Sequence, residues 1–251
     1  MDPVSRVERH VEERLQALNA LFTRAGMRYG LIGATAILLQ GIDLSRTTRD
    51  LDFAVSVERD IEEVRTLFEA NGFRSSTVGH RFITEEGMEI DVLPLVAGER
   101  SWKIELPGGE WISAVGLPEA IETAKAVSVS GESVRVALLP LLAAIKLHVA
   151  AARVGGPDLG DALAVLHQYE SGGGRRFDVD YIAEKGLTWE TAGAWLAGRD
   201  ARTLLRPESR AAVLGAVEQL RGDVRLTDRY ASGPEDRAVV DAFRAGLAAA
   251  S

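Results

Sequence analysis

Cysteine is missing from all 251 residues. Its absence excludes disulfides, thiolate catalysis and cysteine-based zinc sites, and it fits a reducing compartment. Long apolar runs are missing as well: none approaches the roughly 20 residues a membrane-spanning helix needs. The opening residues Met1-Asp2-Pro3-Val4-Ser5-Arg6 contain no apolar signal core. The expectation is a cytoplasmic protein that does not engage a membrane. Lysine is scarce, with only Lys103, Lys125, Lys146 and Lys185 among 29 basic residues, a bias that reads as genome composition rather than chemistry. Excess positive charge is also lacking. The net charge of −8 argues against a surface coated for nucleic acid. It is unevenly spread: residues 1–135 carry 15 Lys and Arg against 22 Asp and Glu, and residues 136–251 carry 14 against 15. An acidic first half suits a metal site and suits solubility equally well.

What remains is ordinary globular composition, 46% apolar and 26% charged, in a chain long enough to bury one large core or two modest ones. Val7, Val11, Leu15, Leu18 and Leu21 recur at helical spacing over 4–25. Gly26 ends that helix, and 27–32 reads as a first strand. Gly33-Ala34-Thr35 opens a short helix, 36–40, that stops at Gly41. A second strand over 50–57 alternates, with Leu51, Phe53 and Val55 on one face and Asp50, Asp52 and Ala54 on the other. A helix over 59–70 closes on Asn71-Gly72. Strand-like runs follow near 73–78 and 80–84, turning at Glu85-Glu86-Gly87 into a strand with Asp91, Met88-Glu89-Ile90-Asp91-Val92-Leu93. A hairpin around Pro107-Gly108-Gly109, a helix over 118–126 and a last strand over 134–137 complete this part. From Leu138 onward the pattern is Ala/Leu-rich helices, near 139–153, 158–170, 188–198, 208–221 and 235–249, separated by Gly-rich punctuation. The expected class is α+β: a mixed sheet flanked by helices over 1–137, then a helical domain over 138–251.

The chemistry concentrates in two stretches. Residues i and i+2 of a strand project to one face, so Asp50 and Asp52 form a like-charged pair. Such a pair is costly unless a cation joins it, and Mg²⁺ is a hard ion that takes carboxylate and phosphate oxygens together. Asp91, on another strand, completes three carboxylates for a two-metal arrangement. An isolated Asp-x-Asp also suits the solvent face of an amphipathic strand; the small-residue turn upstream and the third carboxylate favour the metal. Gly33 sits where a strand runs into a helix, leaving backbone N–H groups for an anion such as a triphosphate. Close packing or a positive φ would also explain a glycine there.

Taken together, Tyr29-Gly30-Leu31-Ile32-Gly33-Ala34, Gly41 and Arg46-Thr47-Thr48-Arg49-Asp50-Leu51-Asp52, with the later Ile90-Asp91-Val92, resemble the signature of nucleotidyltransferases of the DNA polymerase β-like superfamily. The likeness is to the AbiEii/AbiGii toxin-type branch, spans residues 29–55 most clearly and fades beyond 95. The resemblance implies Asp50, Asp52 and Asp91 as Mg²⁺ ligands and catalytic carboxylates. It implies Gly33 and its neighbour Ala34 against the phosphates, and Arg46 and Thr48 positioning the triphosphate or bracing the aspartate loop. Ala34 replaces the usual Gly or Ser, which keeps a backbone contact and loses a hydroxyl one. The implied activity is transfer of a nucleoside monophosphate from an NTP to an acceptor hydroxyl; acceptors in that branch include RNA such as tRNA ends, often in a toxin with a cognate antitoxin. An antibiotic-modifying enzyme acting on a small molecule, and a non-catalytic NTP-binding or antitoxin-like relative, are the other readings.

The resembled branch also carries a lysine helix followed by an Asp-containing helix, similar to Lys146 in 140–147 and Asp161 in 158–163. Lys146 interrupts an apolar helix and must either reach the surface or meet an anion; Asp161 would orient it or act as a base. Pro157-Asp158 replaces the branch's usual basic residue. His10, His80, His148 and His167 have no metal-ligand spacing. The arginines Arg199, Arg202, Arg206, Arg210, Arg221, Arg225 and Arg229 are interleaved with acids, the pattern of a salt-bridged helix surface, with an RNA-binding face as the other reading.

Overall fold

The computed structural model describes residues 9–98, 102–106, 109, 111–153, 155–178, 185–222 and 234–249. Residues 4–8 of the expected first helix, the Pro107-Gly108 apex, Arg225 and Arg229 lie outside them. The chain divides into two compact units, one of residues 1–41 and 46–138, the other of 42–45 and 139–251.

The first unit is built on a mixed sheet. In chain order it contains helix α1 (Arg9–Arg24), strand β1 (Tyr29–Ile32), helix α2 (Gly33–Leu39), β2 (Leu51–Val57), α3 (Ile61–Glu69), β3 (Arg74–Ser75), β4 (Arg81–Ile83) and β5 (Glu89–Val96). A small hairpin of β6 (Lys103–Glu105) and β7 (Trp111–Ser113), helix α4 (Leu117–Thr123), and strands β8 (Lys125–Val129) and β9 (Glu132–Val136) follow. The seven-stranded sheet runs β3-β4-β5-β2-β1-β9-β8. β2 is parallel to β5 and antiparallel to β1, so the three central strands bring the end of β1 beside the starts of β2 and β5.

The expected alternation of β2 decides its two faces. Phe53 packs on Phe22, which also touches Tyr29 and Phe68, with ring centroids 4.9–5.8 Å apart; Phe68 continues to Phe73 and Phe82. Five of the chain's seven phenylalanines thus fill one core, beneath α1 and α3. On the other face, small Gly30 and Ala54, paired in register, let α4 lie close enough that a Cβ on Gly30 would come 2.7 Å from the Ala120 carbonyl oxygen. Asp52 lies two residues along that face.

Local expectations shift at the end of this unit. The helix expected over 118–126 ends at Thr123, and a whole strand, β8, precedes the expected last one. β8 and β9 close through Ser130 and Gly131, both with positive φ (49° and 87°), the backbone of a tight hairpin turn that matches strand twist.

The second unit is helical: α5 (Leu139–Ala152), α6 (Asp158–Gln168), a short 3₁₀ turn (Gly174–Phe177), α7 (Trp189–Leu204), α8 (Pro207–Gly222) and α9 (Pro234–Ala248). α5 buries Leu141, Leu142, Ala143, Ala144, Ile145 and Leu147, almost its full circumference, and packs on α6, α7 and α8. α7 runs six residues past the stop expected at Gly198. That glycine is a packing point, since a Cβ there would come 2.9 Å from the Leu247 nitrogen and one on Gly246 2.9 Å from the Arg199 nitrogen. The arginine-rich surface carries ion pairs, Arg221 with Glu218 and Asp241 and Arg244 with Glu218.

Candidate active site

The sheet register assembles the first-unit residues. Ile32, the last residue of β1, pairs with Asp52, and Asp52 pairs in parallel with Asp91. Directly paired residues share a face and neighbouring strands lie about 4.8 Å apart, so Asp52 and Asp91 stand side by side next to the Gly33 turn. Asp50 is one residue before β2 and exposed. Its carbonyl oxygen accepts a 2.9 Å hydrogen bond from the Thr35 hydroxyl, which ties the aspartate loop to α2. Arg46 and Thr48 occupy the same loop, each half-buried.

Gly33 has φ +71°, and a Cβ built there would fall on the Asp52 carboxylate, 2.8 Å from Cγ. The glycine therefore makes the room in which Asp52 sits. Ala34 turns its methyl into the core, and no side chain caps the start of α2.

Asp91 is held by a residue the sequence reading passed over. Arg81 on β4 pairs with Asp91 across the strands, and its Nε and Nη2 donate to the two Asp91 carboxylate oxygens at 2.7 and 2.8 Å. Its Nη1 lies 2.5 Å from Glu89. The Asp91 hydrogen bonds, outweighing partial burial, raise the guanidinium's pKa further, with Glu89 and Asp50 adding to the pull. His80 Nε2 is 3.8 Å from Asp91. Beside Asp50 opens a cavity of about 700 Å³, with Arg14, Arg49, Glu86 and Glu89 on its walls.

As placed, no three His, Asp or Glu groups among the described residues enclose a metal ion. The donor set nonetheless suits Mg²⁺: hard carboxylate oxygens on adjacent strands, with a cradle for Asp52 that a single added Cβ would fill.

In the second unit, the anions that meet Lys146 are Asp158 and Asp161, at 2.7 and 3.0 Å. Lys146 is 13% exposed and Asp161 3%. Burial works against the ammonium, but the two carboxylates outweigh it and raise its pKa.

No family model matches the chain, and no curated protein matches it. Solved structures give distant likenesses. An antigenic nucleotidyltransferase-like protein from Paracoccidioides brasiliensis is 16% identical, over 70% of this chain and 88% of its own, with a TM-score of 0.42. A lincosamide antibiotic adenylyltransferase bound to lincomycin is 14% identical over 64% of this chain and 97% of its own, with a TM-score of 0.43. A putative nucleotidyltransferase from H. pylori is 15% identical over 96% of both chains, with a TM-score of 0.38.

Proposed function

We propose that the protein is an Mg²⁺-dependent nucleotidyltransferase that moves a nucleoside monophosphate from an NTP to an acceptor hydroxyl. The supporting observation is the register that sets Asp52 beside Asp91 and against the Gly33 turn. Asp50, Asp52 and Asp91 would hold the metal, which when bound neutralises phosphate charge and lowers the pKa of the attacking hydroxyl. The chain's own part is positioning. The Thr35 bond to the Asp50 carbonyl fixes the loop that presents Asp50, Arg46 and Thr48. Backbone at Gly33 and Ala34 receives the triphosphate, and Arg49 lines the cavity beside Asp50. As the acceptor oxygen bonds to the α-phosphorus, the bond to the departing pyrophosphate breaks. We assign this chemistry to residues 1–137; in the helical part Lys146 is engaged by Asp158 and Asp161.

For the acceptor, RNA such as a tRNA end is the first choice, on the toxin-type resemblance of the Arg46-to-Asp52 motif; a cognate antitoxin would then be the partner. The test is transfer of label from α-labelled NTPs to total RNA and, separately, to aminoglycosides and lincosamides. Asp52→Asn should lower transfer about a hundredfold or more while leaving the circular dichroism spectrum intact. Full activity in that variant refutes the site. Label on a small molecule and not on RNA moves the acceptor to the antibiotic-modifying class, and tight NTP binding without pyrophosphate release leaves a non-catalytic binder.

A further inference from the structure

Arg81 is a cation already present at the acidic edge, on Asp91 itself. It sits on the same face as Asp91, directly across β4 and β5, and engages both Asp91 oxygens at once. A third nitrogen meets Glu89, and Asp50 is near enough to act on its charge. A guanidinium is planar and permanently charged, and its paired N–H groups match the two oxygens of a carboxylate. Mg²⁺ asks for something different from the same group: an oxygen at about 2.0–2.1 Å in octahedral geometry. Both Asp91 oxygens already serve the fork, so a cation that draws on either one competes with Arg81 for the same carboxylate charge and must approach against a fixed positive charge.

We propose that Arg81 is the resident counter-ion of this edge and competes with the divalent cation for Asp91, so that cation entry releases at least one Arg81–Asp91 bond. Arg81 is then a positioning residue that sets how much free cation the site requires. It keeps Asp91 ordered and compensated until an ion arrives, and it weakens the ion's binding by the strength of the bonds that must open. The inference rests on the reading of Asp50, Asp52 and Asp91 as the metal site. The opposite arrangement has the opposite signature: were Arg81 only bracing Asp91 in a ligand-ready pose, removing it would loosen the ligand and weaken binding.

The experiment is calorimetric titration of the full chain with Mg²⁺, and with Mn²⁺ followed by water-proton relaxation, without nucleotide. Arg81→Gln should bind either ion about tenfold more tightly than the parent, a gain of about 1.4 kcal/mol. Arg81→Lys, which keeps the charge and loses the fork, should fall between the two. Equal or weaker binding by a folded Arg81→Gln overturns the proposal. Should that variant fail to fold, Arg81→Lys decides by the same criterion, because binding no tighter than the parent's overturns it. Asp52→Asn separates this inference from the reading beneath it. If Asp52→Asn binds the cation as the parent does, the metal site itself is wrong. If it loses binding while Arg81→Gln leaves affinity unchanged, only the role of Arg81 falls.

Discussion

Replacing Gly33 by alanine is the most direct probe of the site, because two separable effects converge there. The first is conformational: φ is +71°, where an L-residue costs about 1–2 kcal/mol, partly offset by about 0.4–1 kcal/mol because alanine stiffens the unfolded chain. The second is steric: the new Cβ would lie 2.8 Å from Asp52 Cγ and 3.0 Å from its Cβ, so the carboxylate must move, at about 1–3 kcal/mol for overpacking. Gly41 is the internal control, since its φ is +85° and a Cβ there meets nothing within 4 Å. Gly41→Ala should cost about 1 kcal/mol and Gly33→Ala about 2–4 kcal/mol in urea melts followed by circular dichroism. At about 2–4 °C per kcal/mol for a chain of this size, the two should also differ by several degrees in Tm. The double variant with Asp52→Ala isolates the contact: with the carboxylate gone, the cost of Gly33→Ala should fall toward that of Gly41→Ala. A loss equal to the Gly41 control, or one that Asp52→Ala does not reduce, refutes the claim that Gly33 makes room for Asp52.

Two further outcomes concern the helical unit. Lys146→Met leaves Asp158 and Asp161 buried without their cation and should destabilise by about 3–5 kcal/mol. Adding Asp158→Leu and Asp161→Leu should restore much of the loss, and a near-neutral single variant would show that the triad contributes little. Asp200 gives a pH dependence. Burial would raise its carboxyl, but two bonds from Arg175 and one from the Tyr169 hydroxyl prevail and hold it below its ordinary value of 3.8. A depressed carboxyl stabilises above its unfolded-state value and loses that contribution as pH falls through its folded-state value. The Tm gap between the parent and Asp200→Asn should therefore narrow as pH drops below about 4; a gap independent of pH would deny Asp200 this linkage.

The class of fold was legible because its signals are local. Period-two alternation in β2 and period-3.6 stripes in the later helices survive translation into three dimensions, since each concerns residues that touch the same layer. The misreadings came where one residue type serves two purposes. Gly198 looks like a helix stop, yet it lies inside α7 because α9 crosses there at backbone distance. The expected helix over 118–126 takes in the start of β8, although Ser130-Gly131, between the paired Val129 and Glu132, carries the positive-φ requirement of a tight hairpin.

The site divides along the same line. Asp50, Asp52, Asp91 and Gly33 could be named from residue type and spacing, but the pairing that makes neighbours of Asp52 and Asp91 is parallel, across an intervening helix and two other strands. Nothing local fixes such a register. Arg81 is the reverse case. A hairpin centred on residue 86 pairs positions whose numbers sum to 172, and that places Arg81 opposite Asp91 and Ile83 opposite Glu89, as found. The turn Glu85-Glu86-Gly87 is visible in the sequence, and the register it implies points to the cation. Across an antiparallel hairpin an opposite-charge pair helps fix register, so Arg81 and Asp91 have a folding reason to face each other before any ligand is considered. That is why the cation titrations carry the argument: a pair formed to set register would leave metal affinity alone or support it, whereas a resident counter-ion must weaken it.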